Sequence, residues 1–168
     1  MGKVYVRVDD RLIHGQTVLA WCPTLSIQEI IAIDNDSASN PMLRSIMEMG
    51  VPKNYATKIV TVDQAKELLR EDSSKTRLVI VKYPSRLMEI QEEIAGCEFI
   101  ILGNIAKRSD SVHQVKGATG IFFLSEQDVK DIDSLVEKGF KVDFQQLPNA
   151  AGMSWSAFKK TFNRGQGA

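Results

Sequence analysis

Residues 3–21 read KVYVRVDDRLIHGQTVLAW and change character twice. In the first part, residues 3–8, Val4, Val6 and Val8 recur at every second position, which predicts a β-strand. The last part, TVLAW, is apolar and predicts a helix. Between them stand Asp9, Asp10, Arg11 and His14, so the connection from a buried strand into a helix is filled with charged and nucleophilic side chains. A strand that feeds a helix in this way opens a parallel α/β unit.

The rest of the chain repeats the alternation. QEIIAID (28–34), TKIVTV (57–62), RLVIVK (77–82), EFIILG (98–103), TGIFFL (119–124) and FKVDFQQL (140–147) predict six further strands, seven in all. Several are continuously apolar, as strands covered on both faces are. Helical patterns lie between them. DQAKELLRE (63–71) starts at Asp63, which is expected as an N-cap. Residues 84–95 place Pro84 in a first turn and Leu87, Ile90 and Ile94 on one stripe. Residues 125–138 open with Ser125 and Asp128 in capping-box spacing and stop at Lys138-Gly139. The pattern predicts one α/β domain, 1–168, with an open, mostly parallel sheet of about seven strands and helices on both faces. The long polar stretch 104–118 (NIAKRSDSVHQVKGA) is expected to be an irregular functional loop, and 165–168 a flexible tail.

Composition narrows the function classes. The chain has 168 residues, 43% hydrophobic and 25% charged, with 21 basic residues against 21 acidic ones. A neutral balance speaks against nucleic acid as a partner and against a polybasic membrane anchor. No apolar run has signal-peptide length or approaches the ~20 residues of a membrane span, and Val6 stands where a myristoylation pattern needs Ser or Thr, so a cytoplasmic protein is expected. Cys22 and Cys97 form no CxxC and read as two reduced, partly buried thiols. Two Cys and two His without ligand spacing predict no metal site.

In an open parallel sheet, ligands bind beyond the C-terminal ends of the strands, where the strand order switches. His14 precedes Gly15, which lets a ligand approach the backbone, and a helix start offers unpaired N–H groups to a phosphoryl oxygen. Imidazole is a competent nucleophile near its ordinary pKa of about 6.5. Arg11 offers a planar fork of donors to the same oxygens. Asp10 either orients the ring or holds Arg11; directly beside a phosphoryl group its charge repels.

RVDDRLIHGQ (7–16) closely resembles the signature of the IIB domains of the mannose–fructose–sorbose class of the bacterial phosphoenolpyruvate-dependent sugar phosphotransferase system. The likeness covers most of the chain. Trp21 falls where the family has a Trp in its first helix; Ile33 to Asn40 (IDNDSASN) is similar to the family's acidic turn after the second strand. Gly103-Asn104-Ile105 looks like its turn after the fifth strand, LSEQDVKDI (124–132) matches the segment that follows, and GFKVDFQQLP (139–148) is similar to its last strand. The resemblance implies an open parallel α/β fold and a phosphocarrier in which His14 takes phosphate from a IIA phosphohistidine and passes it to a sugar entering through IIC and IID membrane subunits. It implies Arg11 and Asp10 as close neighbours in the active loop, with Asp9, Ile13, Gly15 and Gln16 completing it. Asp34, Asn35, Gly103 and Asn104 are implied as site-lining residues. No cofactor and no metal enter this scheme. The protein is expected to sit at the membrane transporter, with the loops 9–16, 35–41 and 104–116 lining one docking face; monomer and homodimer both fit its neutral surface. The loop AKRSDSVHQV departs from the glycine and lysine usual there, so His113 carries over no role and reads as a surface histidine.

Two other readings use the same residues. A non-transporting regulatory or scaffold paralogue would keep the fold and bind IIA partners. A receiver-like signalling domain would use Asp9-Asp10 as a magnesium pair and Lys82 after a later strand, and would need a phosphorylated Asp at the end of the third strand, near Asp63.

Overall fold

Alternating and continuously apolar segments become strands because a sheet covered on both faces buries every second side chain on each side. The computed structural model describes residues 2–15, 17–116 and 121–166. Its strands are β1 (Val4–Asp9), β2 (Glu29–Ile33), β3 (Ala56–Val60), β4 (Arg77–Val81), β5 (Ile100–Asn104), β6 (Ser111–Lys116), β7 (Ile121–Ser125), β8 (Val142–Phe144) and β9 (Met153–Ser154). Its helices are α1 (Cys22–Thr24), which continues a π-helical stretch at Thr17–Trp21, then α2 (Asn35–Ser39), α3 (Pro41–Met49), α4 (Val62–Arg70), α5 (Pro84–Glu89), α6 (Glu126–Glu137) and α7 (Trp155–Gln166).

Seven strands form one sheet in the order β3-β2-β4-β1-β5-β8-β9. Its pairs are parallel except β8 with β9. One face carries Val6, Val8, Ile31, Ile33, Val79 and Val81 against α4, α5, α6 and α7. The other carries Tyr5, Ile30, Leu78 and Ile80 against Val18 and Cys22. After β1 the chain leaves toward β2 on one side; after β5 it leaves toward β8 on the other. The order therefore switches at the crevice between β1 and β5, where ligands of such sheets bind. Among the described residues no helix is long and apolar enough to cross a membrane.

The expected fold class holds, but its parts are distributed differently. The strand expected at 119–124 leaves the main sheet: as β7 it pairs antiparallel with β6, and Phe122 and Leu124 still reach the core. Residues 119 and 120 lie outside the described residues. Its place in the sheet is taken by β9. The stretch 104–118 is consequently not irregular throughout. It contains β6, whose Val115 is buried while His113 and Ser111 are polar, which masks the alternation; 117 and 118 lie outside the described residues. Asp63 is not the N-cap of α4. Thr61 is, because Thr61 and Gln64 cap each other's backbone reciprocally, and Asp63 sits in the first turn. The helix expected over 84–95 ends at Glu89, although Leu87, Ile90 and Ile94 are all buried as the stripe requires. The capping box of Ser125 and Asp128 is present, and α6 stops before Gly139 at φ +97°. Residues 165 and 166 of the expected tail belong to α7; 167 and 168 lie outside the described residues.

Candidate functional site

Strand alternation sends Arg7 and Asp9 to the same side of β1, where both are buried, at 1% and 0% exposure. An isolated buried charge is untenable, so each needs a partner. Arg7 donates from Nε and Nη2 to Asp9 Oδ2 at 3.4 and 3.3 Å. It also donates from Nη1 to the Gln145 carbonyl at 3.2 Å and from Nη2 to the Gln146 carbonyl at 3.1 Å. Its guanidinium lies 5.4 Å from the Trp21 ring, whose Nε1 donates to the same Gln146 carbonyl at 2.8 Å. Burial pushes the pKa of Arg7 down to about 10 against the pull of Asp9, which leaves it a cation at neutral pH. Gly103 makes room for this side chain, since a Cβ there would overlap the Arg7 guanidinium. Its role is steric.

Asp9 holds a second guanidinium. Arg11 Nε donates to Oδ1 and Nη2 to Oδ2, both at 3.0 Å, and the Arg11 amide donates to Oδ1 at 3.0 Å. The Thr17 hydroxyl reaches Oδ2 at 3.5 Å. Hydrogen bonding to Asp9 holds the Arg11 pKa above its ordinary value, against a lesser effect of burial. The Arg11 side chain is 34% exposed, so a fixed cation reaches the surface. Asp9 uses Nε and Nη2; Nη1 is not engaged by that carboxylate.

Asp10 reaches across to the β5 side. Its Oδ1 accepts from Asn104 Nδ2 at 2.6 Å and its Oδ2 from the Ala106 amide at 3.0 Å, so it ties β1 to the turn after β5.

His14 follows in the same turn. The Leu12 amide donates to the Asp9 carbonyl at 2.9 Å, and Leu12 takes φ +56° with its side chain buried. That left-handed residue reverses the chain and presents His14 half-buried at the crevice. The Val18 amide then donates to the His14 carbonyl at 3.0 Å, starting the helical stretch. Ile13 packs partly against the core, and the space around Gly15 is open. Gln16 lies outside the described residues.

Asp34 and Asn35 are not gathered here: β4 separates their strand from β1. Asp34 caps α2 through the Ser37 amide and hydroxyl at 3.1 and 2.6 Å and pairs with Lys82 at 3.3 Å. Burial raises its pKa, but the Ser37 hydrogen bonds and Lys82 outweigh that and hold the carboxyl below its usual range. Asn35 Oδ1 accepts from the Val62 amide at 2.9 Å. His113 pairs with Glu126 at 3.0 Å on β6. For the receiver reading, Asp9 is filled by two guanidiniums and Asp63 is a helix residue. Sequence reasoning missed Arg7; its signal was an arginine in an otherwise apolar strand.

Fold and site thus define a doubly wound α/β domain with an imidazole and a carboxylate-fixed guanidinium at its switch point. The model of the family described as PTS system sorbose subfamily IIB component matches residues 3–166. The chain belongs to that family, the IIB phosphocarriers of the sugar phosphotransferase system. It is 25% identical over 153 residues to the PTS system fructose-specific EIIB component of Bacillus subtilis (strain 168), covering 90% of this chain and 91% of that protein. It is 20% identical over 143 residues to the PTS system mannose-specific EIIAB component of Escherichia coli (strain K12), covering 84% of this chain and 43% of that protein. Among solved structures, manxB from Thermoanaerobacter tengcongensis superimposes with a TM-score of 0.82 at 23% identity, over 96% of this chain and 98% of that one. That likeness is one of fold.

Proposed function

We propose that His14 is the phosphorylated residue of this phosphocarrier. It accepts the group from a phosphohistidine of a IIA domain and hands it to a sugar entering through the IIC and IID subunits, with the protein stationed at the cytoplasmic side of that transporter. The observation that carries this is the placement of His14 at the β1–β5 crevice, in one short turn with a guanidinium that Asp9 fixes. The A unit in the name of the mannose-specific EIIAB relative supports a IIA donor.

In the first step a P–N bond forms on a ring nitrogen of His14 as the donor's P–N bond breaks. In the second a sugar hydroxyl takes the phosphoryl group: a P–O bond replaces the P–N bond, and the hydroxyl proton passes to the imidazole or to water. Little other covalent chemistry is asked of the protein, so its work is positioning and charge stabilisation. Arg11, already held by Asp9, is set to meet equatorial oxygens without reorganising.

Mixing the protein with ³²P-labelled IIA tests the assignment. The label is expected to transfer to this chain in a bond that is labile in acid and stable in alkali, as a phosphoramidate is. Label that is lost in alkali and needs Mg²⁺ to load would be an acyl phosphate on an aspartate, and would overturn it.

A further inference from the structure

The pairing of β1 with β5 slips at its C-terminal end. Val8 faces Leu102, but Asp9 faces Asn104, so Gly103 is passed over. The Arg7 guanidinium occupies the space this irregularity leaves beside Gly103. An interrupted ladder next to an active loop needs another way of fixing the loop. Here three hydrogen bonds supply it immediately beyond the slip. The Asp10 amide donates to the Asn104 carbonyl at 3.1 Å, Asn104 Nδ2 donates to Asp10 Oδ1 at 2.6 Å, and the Ala106 amide donates to Asp10 Oδ2 at 3.0 Å.

We propose that Asp10 and Asn104 are positioning residues, a brace across the crevice between β1 and β5 that holds the His14 turn in register for phosphoryl transfer without either side chain touching the phosphoryl group. The proposal rests on His14 being the phosphorylated residue. The brace holds one end of the turn. Leu12, in its left-handed conformation, and the bond from Val18 to the His14 carbonyl hold the other. Both carboxylate oxygens of Asp10 accept hydrogen bonds from the β5 side, from Asn104 and the Ala106 amide. Asn104 matters as a donor: with Asp at that position two carboxylates would face each other.

The test follows from the donor and acceptor pattern. Asp10→Ala and Asn104→Ala each remove the side-chain link. The exchanged pair, Asp10→Asn with Asn104→Asp, keeps it: the new amide donates to the new carboxylate, and its own oxygen still accepts from Ala106. Single-turnover transfer from ³²P-labelled IIA is measured over a range of IIA concentrations. Each single variant is expected to lower the maximal rate between about 10- and 100-fold, the scale of a misplacement near 1 Å, with the half-saturating IIA concentration unchanged. The double alanine variant should be no slower than the singles, and the exchanged pair should recover most of the rate. Amide exchange at residues 11–14 should rise in both single variants and return in the exchanged pair, independently of any phosphate. A loss confined to Asp10→Ala, or no recovery in the exchanged pair, would make Asp10 act by its own charge and overturn the brace. If His14→Ala still takes up phosphate while the exchange pattern is as expected, it is the His14 assignment that fails.

Discussion

Asp9 satisfies two cations with one carboxylate, and those cations differ in burial. Arg7 is wholly buried and bonded to two backbone carbonyls as well, so it belongs to the fold. Arg7→Ala leaves Asp9 buried without one of its two guanidiniums, and is expected to cost about 3–5 kcal/mol in a denaturant titration. Gly103→Ala drives a methyl into the same guanidinium and should cost about 3 kcal/mol. Arg11 reaches the surface but donates the two shorter guanidinium bonds to buried Asp9, so Arg11→Ala should lower the midpoint less than Arg7→Ala does, and should slow phosphoryl transfer roughly 10²–10³-fold. Asp34 supplies a pH effect elsewhere. Its folded carboxyl titrates below its usual value, so its contribution is complete above that value and is lost as pH falls through the lower, folded one. Asp34→Asn should flatten the acid limb of stability against pH, measured by thermal melts between neutral pH and pH 3.

At the scale of elements, a periodic signal was legible wherever one physical cause dominated. The strands at 3–8, 28–34 and 77–82 are buried on both faces; alternating valines marked the first and apolar runs the other two. The box of Ser125 and Asp128 was legible because its spacing is fixed by backbone geometry; Ser125→Ala should cost α6 about 1 kcal/mol. The hairpin was hidden because β6 alternates polar side chains over a single buried Val115, and local pattern does not say which sheet a strand joins. α3 was missed although its signals stand in the sequence: Asn40 and Pro41 open it, and Met42, Ile46 and Met49 recur at helical spacing in a row that faces solvent. Ile46→Lys should therefore shift stability by no more than about 0.5 kcal/mol. Within the site, the residue types were readable from the loop, but their pairing was not. Adjacent Asp9 and Asp10 differ only in the side of the strand they leave from, and that decides that Asp9 takes Arg11 while Asp10 takes Asn104.

At the scale of the whole molecule, the sheet separates storage of stability from chemistry. Its two apolar faces hold the fold, and its C-terminal edge carries the turn of His14. The thiols lie on the stable side of that division. Burial pushes Cys22 up to about 12 and Cys97 up to about 11, so both stay protonated at neutral pH. Iodoacetamide at pH 8 should label them slowly in the native protein and rapidly in urea. The proposed phosphoryl transfer assigns the chemistry to the His14 imidazole. The most direct measurement is intact mass with ³¹P NMR after incubation with phosphoenolpyruvate, enzyme I, HPr and a IIA domain of this class, on wild type and His14→Ala together. One added, acid-labile phosphate in the wild type and none in a folded His14→Ala variant is the predicted result. An equal phosphate load on both proteins would contradict it.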